Sequence, residues 1–263
     1  FMKLTDVLFE IRDGVGYITL NRPKKMNPIS ISVVHELLQC VEACESPDVR
    51  AVVFRGAGGN FSGGGDISTM KDSIGAETST AYEDARLIGT LPIKIRQLRK
   101  PTIAWVEGAV AGGGMGIIMA CDFIYAQEES KMVFAFVNVG LVPDTGAAYT
   151  VTRTLGYVRA TELFMSGRAF SGKEAFEMGL ITKAVPAAEL EEVVTKQIRK
   201  LANGPTTTYG NIKEMINRAI LANMEGDGLD AEAELQEACM KTSDFRESVM
   251  AFLEKRKPIL TGK

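Results

Sequence analysis

The stretch TIAWVEGAVAGGGMGIIMACDFIYA, residues 102–126, decides the fold. Its first segment, TIAWV (102–106), has the composition of a buried strand, and MGIIMACDFIYA (115–126) begins as an apolar helix and ends in a second strand. Between them stand Gly112, Gly113 and Gly114. Each glycine costs a helix about 1 kcal/mol relative to alanine, so three in a row are a poor choice for a turn with no other duty. What they offer is backbone N–H groups bare of side chains at the positive end of a helix. The stretch AVVFRGAGGNFSGGGDIS (51–68) repeats the arrangement, a β-branched strand that runs through glycines to Gly63, Gly64 and Gly65 before Asp66. Two such clusters predict a two-donor site for one developing oxyanion.

Outward from these clusters the chain alternates strand and helix. VLFEIRD and VGYITLN, joined by Gly14 to Gly16, read as a hairpin, and the polar loop NRPKKMNP (21–28) follows. From Ser30 the apolar residues fall at helical spacing until Pro47, and a strand over 49–55 leads into the first glycine cluster. Residues 70–90 are small and polar with weak periodicity, which predicts a mobile lid or a loosely packed helix, with helical character resuming at 91–100. After Pro143 two helical stretches, 146–155 and 157–165, precede a loop, a helix from Ser171 to Gly179 and a short strand. Beyond Pro186 the segments 187–202, 206–222, 229–240 and 244–256 are all helical. The pattern predicts an α/β core over 1–200 and a helical region over 201–263 too short to hold much core alone, which packs on the core or on a neighbouring subunit.

A chain of 263 residues with 46% hydrophobic and 24% charged residues has room for a large core. The net charge of −3 and the lack of a long basic stripe argue against nucleic acid as a ligand and leave anionic small molecules open. Cys40, Cys44, Cys121 and Cys239 read as reduced packing residues of a cytoplasmic protein. No basic-then-apolar signal pattern opens the chain and no apolar run reaches the roughly 18 residues of a membrane span, so no membrane partner is expected.

Several chemistries drop out. The one histidine, His35, sits in the middle of an amphipathic helix far from both glycine clusters, which disfavours Ser-His-Asp and Cys-His nucleophiles. No cluster has metal-ligand spacing, GxxxxGK[ST] is absent, and neither glycine run fits a dinucleotide fingerprint. The oxyanion site still needs a carboxylate or hydroxyl. Asp144 in GLVPDTGAAY (140–149) is the best-placed acid, although Pro-Asp-x-Gly is equally a turn signature, and both readings stand. Asp66 and Asp122 read as a helix cap and a turn residue, and Glu107 is ambiguous.

The segments LNRPKKMN (20–27), FSGGGDI (61–67), VEGAVAGGGMGIIMACDFIYA (106–126), GLVPDTG (140–146) and SGRAFSGKEAFEMGLITKAV (166–185) together resemble the crotonase, or enoyl-CoA hydratase/isomerase, superfamily, in register over roughly residues 5–200. The resemblance implies a spiral of ββα units with a helical C-terminal trimerisation region, and assembly as a homotrimer or as a homohexamer built from two trimers. It implies an acyl-CoA substrate with no cofactor beyond the CoA moiety, its adenine and pantetheine lying along the loops at 22–27 and 63–68. By motif position it implies that Gly65 and Gly113 supply the two amides for the thioester oxygen. Lys24, Lys25, Met26, Gly63, Gly64, Asp66, Ile67 and Phe136 are the further substrate-binding candidates, although Lys24 and Lys25 read equally well as a solvated loop.

Departures from the family pattern bear on the reaction. Hydratases of the family carry two glutamates that hold and activate water, at the positions of Gly116 and Phe136 here. Without them the addition of water loses both its acid and its base. Family members with an acid at the position of Asp144, including enoyl-CoA delta-isomerases and ring-epoxide isomerases of phenylacetate breakdown, use it at the α- or γ-carbon. The expected function is therefore a double-bond shift through an enolate, with Asp144 shuttling the proton and with Phe136, Ile67, Met70 and Leu87 keeping water out. The alternatives are weak hydration, decarboxylation or thioester hydrolysis on the same fold, aryl-CoA dehalogenation, and a non-catalytic acyl-CoA binder. Dehalogenation also requires a histidine where Ile93 stands and a tryptophan at position 136.

Overall fold

A computed structural model of the chain describes residues 4–67, 81–221 and 241–263. Strands β1 (Val7–Arg12) and β2 (Val15–Leu20) pair antiparallel around Asp13 and Gly14, whose φ values of 52° and 73° make a two-residue turn matched to strand twist. The hairpin turn is thus Asp13-Gly14. Gly16 serves packing inside β2, where a Cβ would stand 2.8 Å from Cys44 Sγ. Strands β3 (Ala51–Gly56), β4 (Thr102–Val106), β6 (Phe123–Gln127) and β9 (Lys183–Val185) extend the sheet in parallel, in the order β1-β2-β3-β4-β6-β9. A second sheet has the order β5-β7-β8, from β5 (Ala109–Ala111), β7 (Lys131–Val133) and β8 (Ala169–Ser171).

Consecutive strands β4 and β5 enter different sheets before helix α3 (Gly113–Ala120), and β6 and β7 do the same before helix α4 (Ala147–Ser166). This is the repeating ββα turn of a crotonase spiral, ending in a helical C-terminal region. Helix α1 (Ile31–Ala43) starts at Ser30, whose hydroxyl accepts the Val33 amide at 3.3 Å. Helix α2 (Ala81–Gln97) carries Pro92 inside it and packs on α1 and α3. Residues 81–90 are therefore helical, with Leu87 and Ile88 half-buried against the core, rather than part of a lid. Of the two readings the sequence left open, the helix holds here, kept by tertiary contacts and not by a broad apolar stripe. Met70, Cys239 and the predicted helix at 229–240 lie outside the described residues. The two helical stretches expected after Pro143 are both present within α4 and are separated by the non-helical Gly156, which has φ 76° and ψ 172°.

Side-chain alternation along the large sheet separates two cores. Val52, Phe54, Ala104, Val106 and Ile124 face α1 to α4, whereas Ala51, Val53, Ile103 and Tyr125 face helix α6 (Ala187–Ala202). Helix α5 (Gly172–Glu177) follows β8 and is capped by the Ser171 hydroxyl, which accepts the Glu174 amide at 3.0 Å. Helix α7 (Thr206–Leu221) is anchored by the buried Lys213, whose Nζ donates to Ile95 O at 2.9 Å and to Asp122 Oδ2 at 2.9 Å. The same Asp122 oxygen accepts the Thr102 amide and hydroxyl at 2.8 and 2.9 Å, so Asp122 ties the start of β4 to α7. Asp244, at the start of helix α8 (Ser243–Leu253), accepts the amides of Thr261 and Gly262 and pins the C-terminal tail. Among the described residues no helix is long and apolar enough to cross a membrane. Cys40, Cys44 and Cys121 are free and buried, and burial pushes the Cys40 and Cys44 thiols up to about 12.

Candidate active site

The two glycine clusters meet. Ser62 forms a parallel bridge with Val110, through Ala111 N to Ser62 O at 2.9 Å and Ser62 N to Ala109 O at 3.1 Å. That bridge sets Gly64 against the turn into α3: a Cβ on Gly112 would lie 3.7 Å from Gly64 Cα, and one on Gly64 3.2 Å from Ala111 O. Both residues are left-handed, with φ 97° at Gly64 and φ 48° at Gly112, conformations that glycine takes at little cost. Gly114 is needed for contact of another kind, since its Cβ would stand 2.9 Å from Ser62 Cβ. Asn27, left-handed and buried, holds the approach loops together. Its side chain accepts Arg22 N at 2.8 Å and donates to Ala57 O and Asn60 O at 2.9 Å each.

Among the described residues the hydrogen bonds around the clusters leave three amides unused, those of Gly65, Gly113 and Gly114, and of these Gly65 and Gly113 line a cavity. Ile29 bridges Gly65 in parallel, taking Gly64 O with its amide and Asp66 N with its carbonyl, at 2.8 and 3.1 Å. Such a bridge uses the residues on either side of Gly65 and turns Gly65's own N–H away. Gly63 N is held by Met26 O, Gly64 N by Ser62 Oγ and Gly112 N by Val133 O. Among the described residues no hydrogen bond uses the N–H of Gly65 or of Gly113, the first residue of α3. Both glycines line one cavity of about 120 Å3.

Asp144 stands on the wall of that cavity, and among its described lining residues it is the one ionisable group. It sits in a turn whose carbonyl accepts the Ala147 amide at 2.8 Å at the start of α4, with Thr145 at φ 52° and Gly146 at φ 67°. The turn reading and the cavity position are therefore both realised. Burial pushes the Asp144 carboxyl above the ordinary aspartate range; the hydrogen bond from the Thr145 hydroxyl, 2.6 Å to Oδ1, pulls the other way, as does its own backbone. The rest of the lining is mainly apolar, from Ile29, Ile67, Ile88, Phe136, Val139 and Leu141.

The structure thus brings Gly63, Gly64, Gly65, Ile67, Gly113, Phe136 and Asp144 to one cavity. Lys24 and Lys25 stand exposed on a 3-10 turn, Pro23–Lys25, and neither they nor Met26 line it. Asp66 is buried and pairs with Arg22 NH1 at 2.8 Å, outside the lining, and Leu87 packs on the core while its neighbour Ile88 lines the cavity. Glu107 and the exposed His35 and Ile93 are not in the lining either. Sequence reasoning missed Thr145 and Ile29. Thr145's only linear sign is its place between Asp144 and Gly146. Ile29 reaches the cavity through its bridge to Gly65, for which the sequence carries no local signal.

Position 116 is closed. A Cβ on Gly116 would stand 2.4 Å from Thr145 Cβ and 2.5 Å from Thr145 O. An apolar cavity that holds, among the described residues, one carboxylate and two open amides has the groups needed to receive a developing oxyanion and to move a proton. The family model for enoyl-CoA hydratase/isomerase matches residues 10–263, and the chain belongs to that family. It is 34% identical, over the full length of both chains, to a trans-2-decenoyl-[acyl-carrier-protein] isomerase of Streptococcus mutans. It is 33% identical to a 1,2-epoxyphenylacetyl-CoA isomerase of Escherichia coli, with 98% of each chain covered. An enoyl-CoA hydratase structure from Polaromonas sp. JS666 superposes with a TM-score of 0.90 at 28% identity, covering 96% of this chain and 98% of that one. Isomerases and hydratases thus both stand among its relatives.

Proposed function

We propose that this enzyme moves a double bond in an enoyl thioester, converting the 3-enoyl to the 2-enoyl form or the reverse, through a dienolate. The observation that carries the reading is the carboxylate of Asp144, the one among the described lining residues, in the same cavity as the unused amides of Gly65 and Gly113, with phenylalanine at 136 and with position 116 closed by Thr145. Asp144 takes the C2 proton of a 3-enoyl thioester, the two amides receive the negative oxygen, and the same acid returns the proton at C4. One carboxylate suffices because no water is added. Hydration needs an acid and a base on one water, and the chain offers neither at the two family positions.

Two relatives named as isomerases support the same chemistry. The first of them works on an acyl-carrier-protein thioester by its name, so the thiol carrier is either CoA, as the family model's name indicates, or a carrier protein. Lys24 and Lys25, exposed beside the loop that holds Gly63, are the proposed contacts for the carrier's phosphates. Assembly as a homotrimer or homohexamer is proposed from family membership. The test is incubation with a 3-enoyl-CoA and with the matching carrier-protein thioester, following conjugation by ultraviolet absorbance. Turnover that persists undiminished in Asp144→Ala, or hydration of a 2-enoyl thioester faster than isomerisation, would overturn the proposal.

A further inference from the structure

Thr145 stands at the unassigned x of Pro-Asp-x-Gly, and three observations meet on it. Its backbone sits at φ 52°, where a β-branched residue is an outlier, while the next residue, Gly146, takes φ 67° without that penalty. Its side chain is buried, at 3% exposure for the residue. Its hydroxyl donates a 2.6 Å hydrogen bond to Asp144 Oδ1. Strain of this kind persists only where the contacts of the side chain outweigh it.

The side chain divides its work by atom. Cβ and Cγ2 fill the space over Gly116, coming within 2.4 and 2.8 Å of where a Cβ there would stand. Oγ1 lies on the other side, 3.2 Å from where a Cβ on Gly113 would stand, and so between the first turn of α3 and the carboxylate. The aspartate χ2 torsion is broad and nearly two-fold, so its two oxygens exchange places unless something outside holds one. Thr145 holds Oδ1, and among the described residues no other residue's donor reaches Oδ2.

We infer that Thr145 is a positioning residue for the isomerisation proposed above, pinning Asp144 by Oδ1 so that Oδ2 alone is offered to the substrate carbons. The inference rests on that functional reading. A shuttle that removes a proton at one carbon and returns it at another gains from one fixed oxygen that serves both, because each transfer needs its own short, aligned approach. The same hydrogen bond, made to the charged form, also lowers the cost of keeping the buried base ionised.

Thr145→Val keeps the branching, the backbone strain and the packing over Gly116 while removing the hydroxyl. Thr145→Ser keeps the hydroxyl and loses the methyl. For Thr145→Val, kcat should fall about 10- to 100-fold with KM within about twofold, and the acid limb of its kcat profile should move to higher pH. Thr145→Ser should stay within about threefold of wild type with its acid limb unmoved. A serine variant as impaired as the valine variant would reduce Thr145 to packing, and a valine variant within about twofold of wild type would overturn the inference. Thr145→Ala stands in, with the same expected direction, where the valine variant does not fold.

If the wild-type protein isomerises no enoyl thioester, the functional reading has failed. The carboxyl carbon resonance of Asp144, titrated by NMR in wild type and in Thr145→Val, then decides the positioning claim alone. An upward-moved midpoint supports it and an unmoved one refutes it.

Discussion

Gly116 and Thr145 exclude each other's growth: a Cβ at 116 would stand 2.4 Å from Thr145 Cβ and 2.5 Å from its carbonyl oxygen. The absent glutamate at 116 is therefore not a vacancy in the site. Thr145 occupies the ground beside it while its hydroxyl serves the neighbouring acid.

From this contact Gly116→Ala should destabilise the fold by about 2 kcal/mol, the usual cost of overpacking a site that backbone atoms border. Gly116→Glu should cost more and should not create a hydratase. Urea denaturation gives the first quantity and a hydration assay on a 2-enoyl thioester the second. A stable, hydrating Gly116→Glu enzyme would contradict the account.

Asp144→Asn should lower isomerisation about a thousandfold, as loss of a general base does. Because burial raises the carboxyl above the ordinary aspartate range, wild-type kcat/KM should fall as pH drops through that raised value. The stability effect has the opposite sense to a paired carboxylate. A folded-state value above the unfolded one costs stability once pH exceeds it, and the cost vanishes at pH below the unfolded value of about 3.9. Asp144→Asn should thus melt above wild type at neutral pH and match it in acid, which paired thermal melts across pH would check.

Gly113 is the first residue of α3, where proline's missing N–H leaves no helical bond unmade. Gly113→Pro should keep the fold and lose about 100-fold or more in kcat, the scale of one oxyanion donor. Gly113→Ala retains the amide, and its Cβ would crowd Thr145 Oγ1 at 3.2 Å, so it should stay folded and lose far less kcat than the proline variant. Circular dichroism with steady-state kinetics on both variants tests the donor; equal kinetics in the two would remove Gly113 from that role.

Lys213→Met leaves the Asp122 carboxylate without its 2.9 Å cationic partner, with Thr102 at the start of β4 as its remaining donor among the described residues. Lys213 is buried and Asp122 only partly so, which puts the expected loss near the lower end for a broken buried pair, about 3 kcal/mol. Chemical denaturation should show that loss while kcat at low temperature stays near wild type, since α7 lies outside the cavity lining.

Much of the fold was legible because local rules and tertiary structure agreed. The first hairpin, the start of α1 after Ser30 and the break at Gly156 within α4 each rest on chemistry confined to a few neighbouring residues. Strands β5 and β7 were not, because three residues carry too little alternation and their hydrogen bonds come from distant segments. For residues 81–90 the sequence left a lid and a loosely packed helix both open, because their polar surface gives weak periodicity, and packing on α1 and α3 decides for the helix.

The sequence by itself determined the family, the carboxylate and the missing pair of hydratase acids, because each is a matter of residue identity at a motif position. It determined the need for bare amides, because only glycine leaves them bare. Only the tertiary structure decided which amides stay unused in the cavity, since the Ile29–Gly65 bridge takes Asp66 N, Ser62 Oγ takes Gly64 N and Val133 O takes Gly112 N. It alone decided the duties of Thr145, whose strain, burial and contacts with Asp144 and Gly116 exist only once the turn before α4 is laid against α3. Van der Waals exclusion and hydrogen-bond direction act between atoms in space, and spacing along a chain does not record them.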